Sequence, residues 1–283
     1  MKQAPKVKLF IEGRYRKLSR DLPQTVFFCP ECKGHPRRRR GCERCEGFGK
    51  LTRDSVQELL GWVVGRGFGT RKHKFHGAGR EDVDVRMLGR GRPFILELLD
   101  PKVTDPDLAA LETLVNERNP GRLEIEGLHW SEKGRVRILK ETQCAKAYQA
   151  RIAVSGVPDP ARVEALLGER FVLAQNTPQR VAHRRADLVR ERWVELRDLQ
   201  PAEDELEGPG EWIVSVATQH GTYVKEFISG EDGRTEPSLA GKLGLDACRC
   251  LELDVLDILD GEGGELEHHS RPAAPPEFGA GLV

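Results

Sequence analysis

Four of the seven cysteines stand in two close pairs, Cys29-Pro-Glu-Cys32 and Cys42-Glu-Arg-Cys45. Thiolate pairs at this spacing place both sulfurs on one tight turn, and two such turns make a tetrahedral four-sulfur site. That is the chemistry of a structural zinc ion with every position filled by protein. Cys29, Cys32, Cys42 and Cys45 are therefore the expected ligands, and Gly34, Gly41, Gly47 and Gly49 suit the turns the arms require. A redox dithiol would need one pair beside a βαβ pattern, which is not found around these residues. Cys144, Cys248 and Cys250 read as small apolar core residues. Between the two arms, Arg37, Arg38, Arg39 and Arg40 form a run suited to phosphate contact, with a solvated charge run as the alternative.

Two further stretches carry charge in patterns that chemistry uses. In His76–Phe94, carboxylates at Glu81, Asp82 and Asp84 alternate with Arg80, Arg86, Arg90 and Arg92. A carboxylate beside a guanidinium stays ionised, which fits it as nucleophile or electrostatic partner and unfits it as proton donor. A structural ion-pair network closing a hairpin is the competing reading. Thr177–Arg190 gathers Arg180, His183, Arg184, Arg185 and Arg190. As a polar strand–turn it could follow an RNA backbone, with Asp187 pairing one arginine; a purely structural network is again the alternative.

The elements that must position these residues are legible in outline. Lys6–Glu12 begins a strand, followed by the basic Arg14–Arg20 with Tyr15 inside it. Asp54 or Ser55 caps a helix through about Val64, with Val56, Leu59, Leu60 and Val63 on one face. Gly65–Gly79 reads as a loop, and Val83–Met87 and Phe94–Leu99 as two strands joined by a Gly-Arg-Gly-Arg-Pro turn. A helix is expected over Asp105–Asn116, then strands near Leu123–Trp130, Arg135–Leu139 and Tyr148–Val154. A short helix at Pro160–Leu167 precedes strands at Phe171–Gln175, Val189–Leu199, Glu211–Thr218 and Cys250–Ile258. Strands and helices without strict alternation indicate an α+β fold. The expected divisions are a basic cysteine module at 1–53, a main domain at 54–260 and a disordered tail at 261–283.

A 283-residue chain is long enough for one or two domains. Its net charge of zero hides a gradient: residues 1–92 hold 23 Lys+Arg against 10 Asp+Glu, and residues 196–283 hold 6 against 19. A basic first third is the footprint of a polyanion binder. No apolar run reaches the roughly 18 residues a membrane helix needs, and no apolar leader follows the first residues. Paired cysteines at metal spacing then point to a reducing, cytoplasmic setting. No P-loop or dinucleotide fingerprint is present.

Gly79-Arg-Glu-Asp-Val-Asp-Val-Arg-Met-Leu-Gly, followed by Gly91-Arg-Pro-Phe, resembles the signature of the archaeal and eukaryotic tRNA pseudouridine synthases that modify positions 54 and 55. Further similar blocks are Tyr15–Gln24 with the cysteine module, Lys146-Ala-Tyr148, Gln175–Asp187, Gly221–Lys225 and Gly233–Ser238. The resemblance implies a pseudouridine synthase fold with a mixed, mainly antiparallel sheet around a central cleft. It implies Asp82 as catalytic aspartate, Tyr148 stacking on the target base, Lys225 pairing the carboxylate, Arg80 in the same core motif, and Leu253 walling the pocket, with Leu251 competing for that last role. RNA contacts would come from Arg37–Arg40, Arg180, Arg184 and Arg185. The implied activity is isomerisation of uridine in the TΨC arm of tRNA, with structural zinc and no organic cofactor. No protein partner is implied, and a monomer is the default. An inactive zinc-containing RNA-binding protein of the same fold is the alternative. Family members carry a longer THUMP-type region before or around the cysteine module, whereas 28 residues precede Cys29 here, so most of that region is expected to be missing.

Overall fold

The computed structural model describes residues 7–183, 185–204, 210–259 and 266. They form two compact units, Met1–Thr142 with Gly263–Val283, and Gln143–Glu262. The expected tail at 261–283 lies outside the described residues except for Leu266, which is buried and accepts a hydrogen bond from Arg135 on its carbonyl.

The first unit is a sheet of β1 (Lys8–Lys17), β2 (His73–Gly77), β3 (Val85–Leu99) and β4 (Leu123–Ser131). β1 lies between β4 and β3, and β2 pairs with the second half of β3; all these pairings are antiparallel. Three helices accompany it: α1 (Val56–Gly67), α2 (Leu108–Arg118) and α3 (Lys133–Glu141). α1 packs on α2, α2 on β4, and α3 on β2 and β3. Ser55 rather than Asp54 caps α1: its hydroxyl accepts from the Glu58 N–H at 3.2 Å and donates to the Glu58 carboxylate at 2.8 Å. The Glu58 carboxylate also takes Lys50 at 2.6 Å, which ties the cysteine segment to the helix start.

Three local expectations in this unit are corrected. Arg135–Leu139 is part of helix α3, because Arg135 and Leu139, four residues apart, are its buried positions. The Arg135 guanidinium meets the buried Glu12 carboxylate of β1 at 3.1 Å. The expected loop at 65–79 contains β2, whose Phe75 stacks on Phe94 of β3 with centroids 5.6 Å apart. The expected turn between two strands is a bulge inside one long strand, β3: Tyr15 faces Arg92 and Lys17 faces Met87, so residues 88–91 all stand opposite Arg16. Gly91 has φ +75°, and a Cβ there would lie 2.7 Å from the Tyr15 carbonyl oxygen, so only glycine fits the bulge.

The second unit is an antiparallel sheet in the order β10, β5, β8, β7, β6, β9. In chain order these are β5 (Ala145–Val154), β6 (Arg170–Gln175), β7 (Arg190–Pro201), β8 (Glu211–Thr218), β9 (Thr235–Glu236) and β10 (Cys248–Leu259). The helices are α4 (Pro160–Leu166), α5 (Gln179–Ala182), α6 (Val224–Ser229) and α7 (Leu239–Leu243). α6 packs on β10 and α7, burying Phe227 and Ile228. The described residues of Thr177–Arg190 form a short helical turn, α5, and a non-helical lead into β7, where a strand–turn was expected. The α+β class holds.

Asp54, freed from capping, receives both terminal nitrogens of Arg122, at 2.8 and 2.9 Å, joining the start of α1 to the loop before β4. Those hydrogen bonds hold the Asp54 carboxyl below the usual carboxylate range. A depressed folded-state pKa gives stability that is present above the unfolded value and lost as pH falls through the folded one. Asp54→Ala is therefore expected to cost about 2 kcal/mol at pH 7, with the gap to wild type closing below about pH 4. Urea unfolding of both proteins across that range measures it.

Candidate active site and metal centre

The four cysteine sulfurs lie within 4.8 Å of one another, and all four residues are buried together as a cluster of their own. Cys29 and Cys42 sulfurs are 3.7 Å apart, as are those of Cys32 and Cys45. A tetrahedron with metal–sulfur bonds of about 2.3 Å has edges of about 3.8 Å, whereas a disulfide would bring two sulfurs to about 2.05 Å. The two arms are alike in build. Lys33 and Glu46 adopt left-handed conformations, and each is followed by a left-handed glycine, Gly34 or Gly47. The Gly49 N–H donates to the Cys45 sulfur at 3.1 Å. Backbone N–H groups, that of Cys32 first, bring the Cys29 thiol down to about 7, while burial pushes Cys42 up to about 12. Bound cationic metal supplies the charge that lets such thiols ionise together. These four residues fit and could hold a metal ion. Cys144 and Cys248 are buried and Cys250 half-buried, and none of them belongs to this cluster.

Around the sulfurs, the surface is basic and partly aromatic. Arg37, Arg38, Arg39 and Arg40 are exposed, and the Arg39 stem runs along Gly49. Phe28 and Phe48 are also exposed, with Lys50 over the Phe48 ring at 5.1 Å.

The acidic-basic stretch forms the loop from Ala78 to Asp84 that enters β3. One ion pair of this stretch joins Glu81 to Arg92. Glu81 turns inward, its carboxylate 2.8 Å from Arg92 Nε, with both side chains 1% exposed. The Tyr15 hydroxyl stands 3.0 Å from both Glu81 oxygens, and Gln24 donates to that hydroxyl at 2.8 Å. Burial first, then the Glu81 charge, pushes the Tyr15 phenol well above its ordinary value, so it stays protonated and donates. Arg92 also donates to the Ala78 carbonyl at 2.7 Å, at the other end of the loop. Beyond Glu81 the chain comes back out: Asp82 is half-buried, and Arg80 and Asp84 are exposed. The Asp82 and Val83 carbonyls both accept from Lys17 on β1.

The other expected substrate-binding residues belong to the second unit. Tyr148 lies on β5, opposite Val255 of β10 and Val216 of β8, and is half-buried rather than a core tyrosine. Leu253 is buried on β10 opposite Ala150, while Leu251 is half-buried beside the bulge at Cys250 and Glu252. Lys225 is half-buried in the first turn of α6. The start of that helix is fixed by Gln175 of β6, whose side-chain amide donates to the Tyr223 carbonyl at 2.9 Å and accepts from the Tyr223 N–H at 2.8 Å. Arg180 is engaged with the buried Glu226 of α6. Asp187 lies 3.5 Å from Arg234, a partner outside its own segment. Arg185 is exposed, and Arg184 lies outside the described residues.

Sequence reasoning missed Lys17, Tyr15, Glu81 and Arg92 as one network. The signal available was weak: Tyr15 and Lys17 show as members of a basic run and of the similar block Tyr15–Gln24, Lys17 standing 65 residues before Asp82, with nothing to tie them to Glu81.

A family model described as Pus10, C-terminal, matches residues 10–259. The chain is 45% identical over 253 residues to a Methanothermobacter marburgensis protein named tRNA pseudouridine synthase Pus10, covering 88% of this chain and 60% of that one. It is 42% identical over 254 residues to the protein of that name from Korarchaeum cryptofilum, covering 89% and 65%. The chain thus spans about three fifths of the length of these curated relatives. Among solved structures, a Cbf5–Nop10–Gar1 complex contains a chain similar over 72% of this one and 45% of its own, with TM-score 0.38 and 16% identity. On the extent of the family match, this chain belongs to the Pus10 C-terminal family.

Proposed function

We propose that this chain isomerises uridine to pseudouridine in the TΨC arm of tRNA, at position 54, position 55 or both, with Asp82 as the catalytic carboxylate. The observation that carries this reading is the extent of the family match, which encloses Asp82, Tyr148, Lys225 and Leu253 in one continuous span. The reaction breaks the bond from N1 of the base to the anomeric carbon and joins C5 to that carbon instead. C5 loses a proton and N1 gains one, so no electrons are exchanged and no redox cofactor is called for. An ionised Asp82 serves either as nucleophile at the anomeric carbon or as base at the 2′ position. Tyr148 offers an aromatic face to the flipped base, Leu253 an apolar wall, Lys225 a cation that keeps the carboxylate charged, and Arg80 a substrate contact. Taking the base out of its stack costs a few kcal/mol, which such contacts must supply.

In this reading the four cysteines hold one structural zinc ion, and Arg37–Arg40, with Arg180, Arg184 and Arg185, contact RNA phosphates. A tRNA substrate and the absence of any membrane-spanning helix among the described residues fit work in the cytoplasm.

Pseudouridine mapping by carbodiimide on an unmodified tRNA transcript tests the activity and its position together. Wild type is expected to modify position 54, 55 or both, while Asp82→Ala and Asp82→Asn are inactive with tRNA affinity nearly unchanged. Tyr148→Leu should lose about 1–3 kcal/mol of base stacking that Tyr148→Phe retains. A wild-type protein that binds tRNA without modifying it would move the reading to an inactive RNA-binding protein.

Metal analysis of protein purified without chelator is expected to give about one equivalent of zinc, and Cys42→Ser well under half of that. Replacing Arg37–Arg40 together by glutamine is expected to weaken binding to any RNA by a similar factor and to flatten the slope of log affinity against log salt. Filter binding across a salt series reads both effects.

A further inference from the structure

Lys17 is fully buried, and its hydrogen bonds all go to main-chain carbonyls. Its ammonium donates to Leu22 at 2.8 Å, Asp82 at 3.0 Å and Val83 at 2.8 Å. An ammonium has three N–H groups, and each has one carbonyl here. Burying a cation without a directly bonded carboxylate is costly, and a neutral side chain could close a loop more cheaply. What the ammonium achieves here is to hold two successive carbonyls of one loop at a single point.

Glu81 restrains the same loop from the other side. Its carboxylate is pinned by Arg92 and by the Tyr15 hydroxyl, so its own main chain cannot swing. The residue between these restraints is Asp82. We propose that Lys17 is a positioning residue for Asp82: by gripping the Asp82 and Val83 carbonyls against β1, it sets the direction in which the Asp82 carboxylate leaves the chain. The proposal rests on the reading of Asp82 as the catalytic group.

The charges around Lys17 fit this role. Glu81, Asp84 and Asp82 favour its charged form and Arg92 opposes it, while burial outweighs them and brings the ammonium down to about 8. Above that pH Lys17 loses one proton and with it one donor, and a lone pair turns toward a carbonyl. The grip then weakens without any change at Asp82 itself. Arginine at this position would keep its charge throughout.

The test is single-turnover pseudouridine formation by the full 283-residue chain on an unmodified tRNA transcript, run for wild type, Lys17→Met, Lys17→Arg and Asp82→Ala. Lys17→Met is expected to slow the bound reaction about 100-fold, the scale of a misaimed catalytic group, with tRNA affinity within about twofold of wild type. Wild-type rate is expected to fall above about pH 8, and the Lys17→Arg profile to lack that fall. A Lys17→Met rate close to wild type beside an inactive Asp82→Ala overturns the proposal, whereas an active Asp82→Ala overturns the reading of Asp82 instead. If Lys17→Met does not fold, the profiles decide. Superimposable wild-type and Lys17→Arg curves overturn the proposal, and loss of the alkaline fall in Lys17→Arg supports it.

Discussion

The Glu81 carboxylate lies out of water, and a lone charge there would cost several kcal/mol. Everything near it is arranged to prevent that. Arg92 reaches it from β3, where the bulge at 88–91 lets the strand change register against β1 before Arg92. The Tyr15 hydroxyl donates to it and is itself held by Gln24, and Gly79 leaves room, since a Cβ there would come within 3.0 Å of the Arg92 guanidinium. The loop between β2 and β3 therefore has one conformation compatible with a satisfied interior. Asp82 inherits that conformation as the next residue. The pair contributes less as net stability than as a constraint, because a buried ion pair of this kind scarcely outweighs its own desolvation.

The basic first third of the sequence divides into two populations once folded. Lys17 and Arg92 are buried and hold main-chain carbonyls or the carboxylate of Glu81. Arg37–Arg40 are exposed on a segment whose interior is sulfur rather than hydrocarbon. The charge gradient read from composition thus mixes an internal scaffold with an external surface. Only the external part can meet a polyanion.

What could be read from sequence was what depends on short spacing. The cysteine pairs, the cap before Val56 and most strands follow from residues a few positions apart, and the four sulfurs do converge. Arg135–Leu139 was misread because an alternation of apolar and basic residues also fits a helix whose buried arginine finds Glu12, 123 residues away. β2 was missed because His73–Gly77 pairs with Leu98–Phe94, a partner no local pattern announces. For the site, motif resemblance picked out Asp82, whereas Lys17 and Glu81 were passed over. Their roles depend on which carbonyl or carboxylate lies beside them in the fold. A structural ion-pair network was the competing reading of the motif, and Glu81 with Arg92 is one such pair, which the resemblance did not single out.

Gln175 binds the main chain of Tyr223 as a neighbouring strand would, one N–H given and one carbonyl offered, and so stands in for a peptide unit. Such a stand-in depends on the difference between an amide and an acid. Hydrolytic deamidation to glutamate would leave the shape of the side chain almost unchanged and set an oxygen against the Tyr223 carbonyl, turning an attraction into a repulsion in a place that is 1% exposed. The turn ahead of Lys225 is therefore sensitive to chemical ageing at a residue whose side-chain hydrogen bonds go to Tyr223 and Thr235. The close packing that makes Gln175 so exacting also keeps from it the water that the hydrolysis would consume.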